Sequence, residues 1–104
     1  MHIDIQARDL ELTDPLKEYA TKRVGSLERY LSRFDQGLIM AEVELARTTK
    51  HHYQGDVYYA EVNLTLPGKL LRATHTSSDI RQSIDKVRDT LQREIRKFKD
   101  QLES

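Results

Sequence analysis

The chain contains no cysteine. A disulfide framework, a thiolate metal site and a cysteine nucleophile are therefore excluded. Long apolar runs are missing too: they last a few residues, against the ~20 that a membrane-spanning helix needs. No basic-then-apolar leader with a small-residue cleavage site opens the sequence, so the expected location is cytoplasmic, with no membrane partner. There is no P-loop, GxSxG, HExxH or dinucleotide fingerprint. The expectation is a protein that is not an enzyme, with no cofactor and no small-molecule substrate. A charge excess of either sign is also lacking, with 17 Lys plus Arg against 17 Asp plus Glu. A wholly basic nucleic-acid binder would not balance in this way.

What is present suits one globular domain covering residues 1–104. Hydrophobic residues make up 38% and charged residues 33%, and a chain of this length buries roughly two-thirds of its unfolded surface. The balanced charge is unevenly distributed. Residues 1–14 carry −3 and residues 15–33 carry +3 (Lys17, Lys22, Arg23, Arg29 and Arg33 against Glu18 and Glu28). Residues 34–66 carry −3, residues 67–85 carry +1, and residues 86–99 carry +4. Positive charge collects in two blocks, and a surface field follows its local charges. The plainer alternative is two amphipathic helices with ordinary solvated Lys and Arg.

The hydrophobic pattern predicts six elements. His2 to Ala7 alternates, with Ile3, Ile5 and Ala7 on one side, as in a half-buried strand. Thr13 or Asp14 caps a helix with Pro15 in its first turn, where a missing N–H costs nothing. Its apolar face is Leu16, Tyr19, Ala20, Val24, Leu27, Tyr30 and Leu31, with Phe34 packing beyond its end. Gly25 lies inside this helix, an arrangement that suggests close approach of another backbone. Gly37 breaks the chain before a second strand, Leu38 to Arg47. Residues 48–56 form a polar loop, and Val57 to Leu66 is a third strand. Pro67-Gly68 is a strong turn signal, leading to a fourth strand, Leu70 to Thr76. Ser77 or Ser78 caps a second helix with Asp79 in its first turn. Its stripe is Ile80, Ile84, Val87, Leu91, Ile95, Phe98 and Leu102.

The order is β-α-β-β-β-α, an α+β fold. Strands two to four form an antiparallel meander, and the first strand joins its edge in parallel through the helix crossover. Both helices must cover one face of the four-stranded sheet for every apolar stripe to be buried. The other face, with Glu42, Glu44, Glu61, Asn63 and Thr65, is solvated and acidic.

At about 100° per helical residue, Lys86, Arg93 and Lys97 fall within about 20° of one another. On the first helix Lys22, Arg29 and Arg33 share an outer face with Arg23 beside them. Side by side, the two stripes would form one cationic surface able to neutralise phosphates and release counterions. No exposed aromatic stacks are interleaved with the charges, so recognition of folded RNA by backbone and shape is expected. Asp89, Asp100 and Glu18 interrupt the stripes and suit intrahelical pairs. His51-His52 reads as a solvated loop pair and His75 as a sheet residue. Tyr58-Tyr59 reads as one core and one surface aromatic.

Several segments together resemble the ribosome hibernation-promoting factor and ribosome-associated inhibitor family. They are Leu12-Thr13-Asp14-Pro15-Leu16, Leu27-Glu28-Arg29-Tyr30, Leu66-Pro67-Gly68-Lys69 with Arg72-Ala73, Ser78-Asp79-Ile80 through Ile84-Asp85, and Leu91 through Lys99. The resemblance covers essentially the whole chain. It implies this β-α-β-β-β-α fold, similar to double-stranded-RNA-binding domains. It implies binding to small-subunit rRNA in the decoding channel, where the domain excludes mRNA and tRNA. By position it assigns rRNA contacts to Arg23, Arg93, Lys97 and Lys99; the helical geometry adds Lys22, Arg29, Lys86 and Arg88. Three positions depart from the family pattern: Ser26, Arg81 and Thr90. The chain ends just after the second helix, as expected of a short family member or an N-terminal domain of a long one. The leading expectation is a non-enzymatic ribosome-binding inhibitor, monomeric when free. The alternative is a homo-oligomerising interaction module without an RNA partner.

Overall fold

The computed structural model describes residues 1–48 and 57–103. The His51-His52 pair and most of the 48–56 loop lie outside the described residues. The elements are β1 (His2–Arg8), α1 (Asp14–Gly25), β2 (Met40–Arg47), β3 (Tyr58–Leu66), β4 (Lys69–Ser77) and α2 (Ile80–Glu103). Short 3-10 segments at Ser26–Tyr30 and Gln36–Leu38 lie between α1 and β2.

The sheet order is β1-β2-β3-β4. β1 runs parallel to β2, with Ile5 opposite Val43. The other pairs are antiparallel, with Val43 opposite Val62 and Val62 opposite Ala73. The predicted α+β order and topology are therefore those of the molecule. Period-two alternation sends Ala41, Val43, Leu45, Ala60, Val62, Leu64, Leu71 and Ala73 to one face, where all are buried. α2 lies over β3 and β4, α1 touches β1, and the helices touch each other. Leu16, Ala20 and Val24 of α1 and Ile84, Val87, Leu91 and Ile95 of α2 complete one continuous core. A side chain such as Leu91, fully buried, contributes about 1.5–3 kcal/mol by leaving water.

Local chemistry sets the element boundaries. The Thr13 hydroxyl accepts from the Leu16 N–H at 3.3 Å, and Pro15 occupies the first turn of α1. Gly68 has φ +78° at the tip of the β3–β4 hairpin, a conformation that favours glycine. Phe34 stacks on Phe98 with ring centroids 6.0 Å apart, as expected of its position.

Five expectations need correction. The first helix does not run on to Leu31. It ends at Gly25, where the Ser26 hydroxyl donates to the Arg23 carbonyl at 2.6 Å and the chain tightens into a 3-10 turn. Gly25 is not required by a close backbone: a Cβ there would meet the Ile3 side chain at 3.6 Å, an ordinary contact. Leu38 belongs to a 3-10 turn, begun by Asp35 accepting from the Gly37 N–H, and is 61% exposed. The cap of α2 is Asp79, whose carboxylate accepts from the Arg81 N–H at 3.0 Å. Ser77 instead turns inward, its hydroxyl 2.6 Å from that of Ser83, which donates to the Tyr58 carbonyl. Leu102, the last position of the apolar stripe, is 53% exposed. The 24 residues of α2 span about 36 Å and outrun nine-residue strands of about 30 Å.

Candidate nucleic-acid interface

α1 and α2 run in the same direction along their contact. Tyr19 and Arg23 meet Asp85, Arg23 reaches Asp89, Ser26 meets Arg88, and Arg33 meets Glu103. At about 100° per residue, the positions Arg81, Asp85, Arg88, Gln92, Lys99 and Glu103 form one line that faces α1. Lys86, Arg93 and Lys97 lie about 130° round from that line and point outward. The helices are side by side as expected, but the α2 stripe is turned away from the seam.

The seam is a built electrostatic contact. The Asp85 carboxylate accepts from the Tyr19 hydroxyl at 2.6 Å and from Arg23 Nε at 2.8 Å. These bonds to Asp85 raise both groups above their ordinary pKa values: Tyr19 holds its proton for the carboxylate, and Arg23 is charged beside it. Arg23 Nη2 also lies 3.9 Å from Asp89. The Arg81 guanidinium carbon lies 4.9 Å from the Tyr19 ring centroid, within cation–π range.

The cations named from sequence divide into two groups. Arg23 is half-buried and paired with Asp85 and Asp89. Arg88 is 8% exposed; its Nε donates to Ser26 Oγ at 2.9 Å, and Nη1 donates to Asp89 and Gln92. The geometric placement of Arg88 on the outer surface is thereby corrected, because it lies in the seam. Lys99 donates from Nζ to the Tyr30 carbonyl at 2.9 Å. Arg33, on the expected outer face, is tied to Glu103 at 2.6 Å.

The second group is open to solvent. Lys22, Lys86, Arg93 and Lys97 are exposed, and among the described residues none of them forms an ion pair. Arg93 donates to Thr90 Oγ1 at 3.2 Å. Arg29 is exposed and lies over the Tyr30 ring at 5.2 Å. Arg96, not among the cations named from sequence, is exposed and forms no ion pair among the described residues either. It stands between the seam line and the Lys86–Arg93–Lys97 stripe, and the same angular arithmetic would have found it. The helix layer thus presents free cations at Lys22 and Arg29 and along α2, with Asp85 and Asp89 between the two sets.

The opposite sheet face carries Asp4, Glu42, Glu44 and Glu61 around a shallow depression of about 150 Å³. Arg8 reaches Glu44 at 3.4 Å and Arg72 reaches Glu61 at 2.8 Å, so the acidic excess there is partly offset. Glu61 accepts from the Tyr59 hydroxyl, Arg72 and Asn63, and these bonds hold its carboxyl below its ordinary pKa. Burial and the bond to Glu61 push the Tyr59 hydroxyl up to about 12. Tyr58 and Tyr59 are both half-buried, on opposite faces of the sheet. Among the described residues, no three His, Cys, Asp or Glu side chains are grouped to hold a metal ion. No helix among them is long and apolar enough to cross a membrane.

Comparison with known proteins places these features in a family. Residues 3–103 match the family described as Sigma 54 modulation protein / S30EA ribosomal protein. A ribosome hibernation promotion factor of Deinococcus radiodurans is 30% identical over 95 residues, covering 91% of this chain and 47% of that protein. One from Lactococcus lactis subsp. cremoris is 35% identical over 101 residues, covering 95% of this chain and 50% of that protein. The chain spans about half the length of these curated relatives. The Thermus thermophilus Protein Y N-terminal domain superposes with a TM-score of 0.77 at 31% identity, covering 94% of this chain and 99% of that one. A ribosomal subunit interface protein from Coxiella burnetii shares the fold, with a TM-score of 0.73 at 18% identity, covering 96% and 99% of the two chains. With a match over residues 3–103 and relatives at 30% and 35% identity, the chain belongs to the Sigma 54 modulation protein / S30EA family, that of the ribosome hibernation promotion factors.

Proposed function

We propose that this chain is a ribosome-binding domain of a hibernation factor, acting without catalysis. It docks its helix layer on small-subunit rRNA in the decoding channel and sterically excludes mRNA and tRNA. The observation that carries this reading is family membership across residues 3–103. The surface chemistry supports it: among the described residues, the outward cations of α2, with Lys22 and Arg29, have no carboxylate partners that a phosphate would have to displace. Neutralising phosphates with such side chains releases counterions, so affinity falls steeply with salt. A rigid domain of this size needs no chemical step to block a channel. Its partner is rRNA, with no cofactor and no small-molecule substrate. It acts as a cytoplasmic monomer.

The test is competition on isolated small subunits carrying labelled mRNA and tRNA. Added chain is expected to release both labels, with rising salt reversing the release. Stable co-occupancy of chain, mRNA and tRNA would contradict steric exclusion.

A further inference from the structure

Three cations converge on Tyr30, the last residue of the 3-10 segment Ser26–Tyr30. The guanidinium carbons of Arg29 and Arg88 lie 5.2 Å and 5.8 Å from its ring centroid. Lys99 Nζ donates to its carbonyl at 2.9 Å. Among the described residues, only Arg88 of these cations forms an ion pair, with Asp89 at 3.3 Å.

Arg88 and Arg29 are placed very differently. Arg88 is 8% exposed, and a guanidinium so far out of water persists only when its N–H groups are satisfied. They are: Nε donates to Ser26 Oγ, and Nη1 donates to Asp89 and Gln92. The Ser26 hydroxyl in turn donates to the Arg23 carbonyl at the end of α1. One side chain of α2 thus grips the start of the 3-10 segment through Ser26 and its end through the Tyr30 ring. Arg29 is exposed and lies over the ring, and among the described residues it forms no ion pair. Its donors remain available.

We infer that Arg88 is a positioning residue: it splints the 3-10 segment to α2 and fixes the Tyr30 ring as the shelf on which Arg29 is presented to a phosphate backbone. Arg88 acts on that anion through Arg29 and does not touch it. The inference rests on the ribosomal reading above and names the work of one residue within it.

Four variants test it. Arg88→Met keeps the apolar stem and removes the fork. Arg88→Lys keeps the charge with a different donor geometry. Ser26→Ala keeps the cation and removes the acceptor for Nε. Arg29→Ala removes the presented group. Two measurements are made on the whole chain: amide hydrogen exchange of residues 27–31 in the free protein, and the salt dependence of affinity for purified small subunits. Arg88→Met and Ser26→Ala are expected to speed exchange in 27–31. Both should weaken binding by about tenfold, the cost of ordering a loosened Arg29 in the complex, with an unchanged slope of log affinity against log salt because Arg29 still reaches its phosphate once bound. Arg88→Lys should resemble Arg88→Met, not the parent. Arg29→Ala should leave exchange unchanged and lower the slope by about 0.7–0.9.

Parental exchange with a slope lowered by about one in Arg88→Met would make Arg88 itself a phosphate contact and overturn the inference. Parental exchange and affinity together would overturn it too. If Arg88→Met fails to fold, Ser26→Ala decides by the same readouts. Should the parent chain fail to bind subunits, the ribosomal reading falls, while exchange in 27–31 still decides the splint.

Discussion

The inner and outer lines of α2 carry similar side chains with opposite fates. Along the inner line Arg88 and Lys99 direct their donors at Ser26, Asp89, Gln92 and the Tyr30 carbonyl, and Arg23 of α1 closes on Asp85. Along the outer line Lys86, Arg93 and Lys97, with Arg96 beside it, meet solvent. The inner cations hold two helices together. Among the described residues the outer ones form no ion pair and so remain available to a partner. Summed charge makes no such distinction: the +4 of residues 86–99 includes both kinds. A cation's role is set by what already occupies its donors.

The largest expected effect attacks the outer line. Reversing Lys86, Arg93 and Lys97 to Glu together should abolish co-sedimentation with small subunits while thermal unfolding stays within a few degrees of the parent. Retained co-sedimentation would show that the outer line is not the docking surface. The inner line should respond in the opposite sense. Asp85→Ala strands the Tyr19 hydroxyl and the Arg23 guanidinium and should cost about 1–2 kcal/mol, held to that range by solvent at the half-exposed carboxylate. Calorimetry should show the melting temperature falling by several degrees; an unchanged value would mean that water replaces Asp85 without penalty.

A single outer substitution gives a smaller and more selective effect. Lys97→Ala should reduce the log–log salt slope of binding by about 0.7–0.9 and leave stability unaltered. A loss of stability in its place would move Lys97 to the structural group. The smallest effect concerns the open sheet face. Glu61 is held below its ordinary value of 4.5 by Tyr59, Arg72 and Asn63. Its stabilisation is therefore complete above that ordinary value and is lost as pH falls through the lowered folded value. The stability difference between the parent and Glu61→Gln should persist at neutral pH and close in acid. A difference still undiminished at about pH 3 would contradict the network.

Much of the architecture was legible because periodicity reports burial. The alternation in β2 and β3, the Pro67-Gly68 turn and the spacing from Ile80 to Phe98 each name a face, and one arrangement hides all of them. Boundaries were less legible where side chains compete for the backbone. Ser26 ends α1 by bonding to the Arg23 carbonyl, and Asp35 starts a turn where Leu38 was expected to open a strand. The site was legible as composition and only partly as geometry. Lys86, Arg93 and Lys97 could be grouped by helical angle alone, and Arg96 was within reach of the same arithmetic. The commitment of Arg88 could not be read this way, because its partners Ser26 and Tyr30 come from another element. The separation of the outer stripe from the seam likewise depended on how the two helices roll against each other.

The most direct measurement is a density map of this chain on the small ribosomal subunit. The account predicts the helix layer against rRNA phosphates in the decoding channel, with Lys86, Arg93, Arg96 and Lys97 facing the RNA and the Glu42–Glu44–Glu61 face turned away. A map with the sheet face against the RNA, or with the chain seated outside the channel, would contradict it.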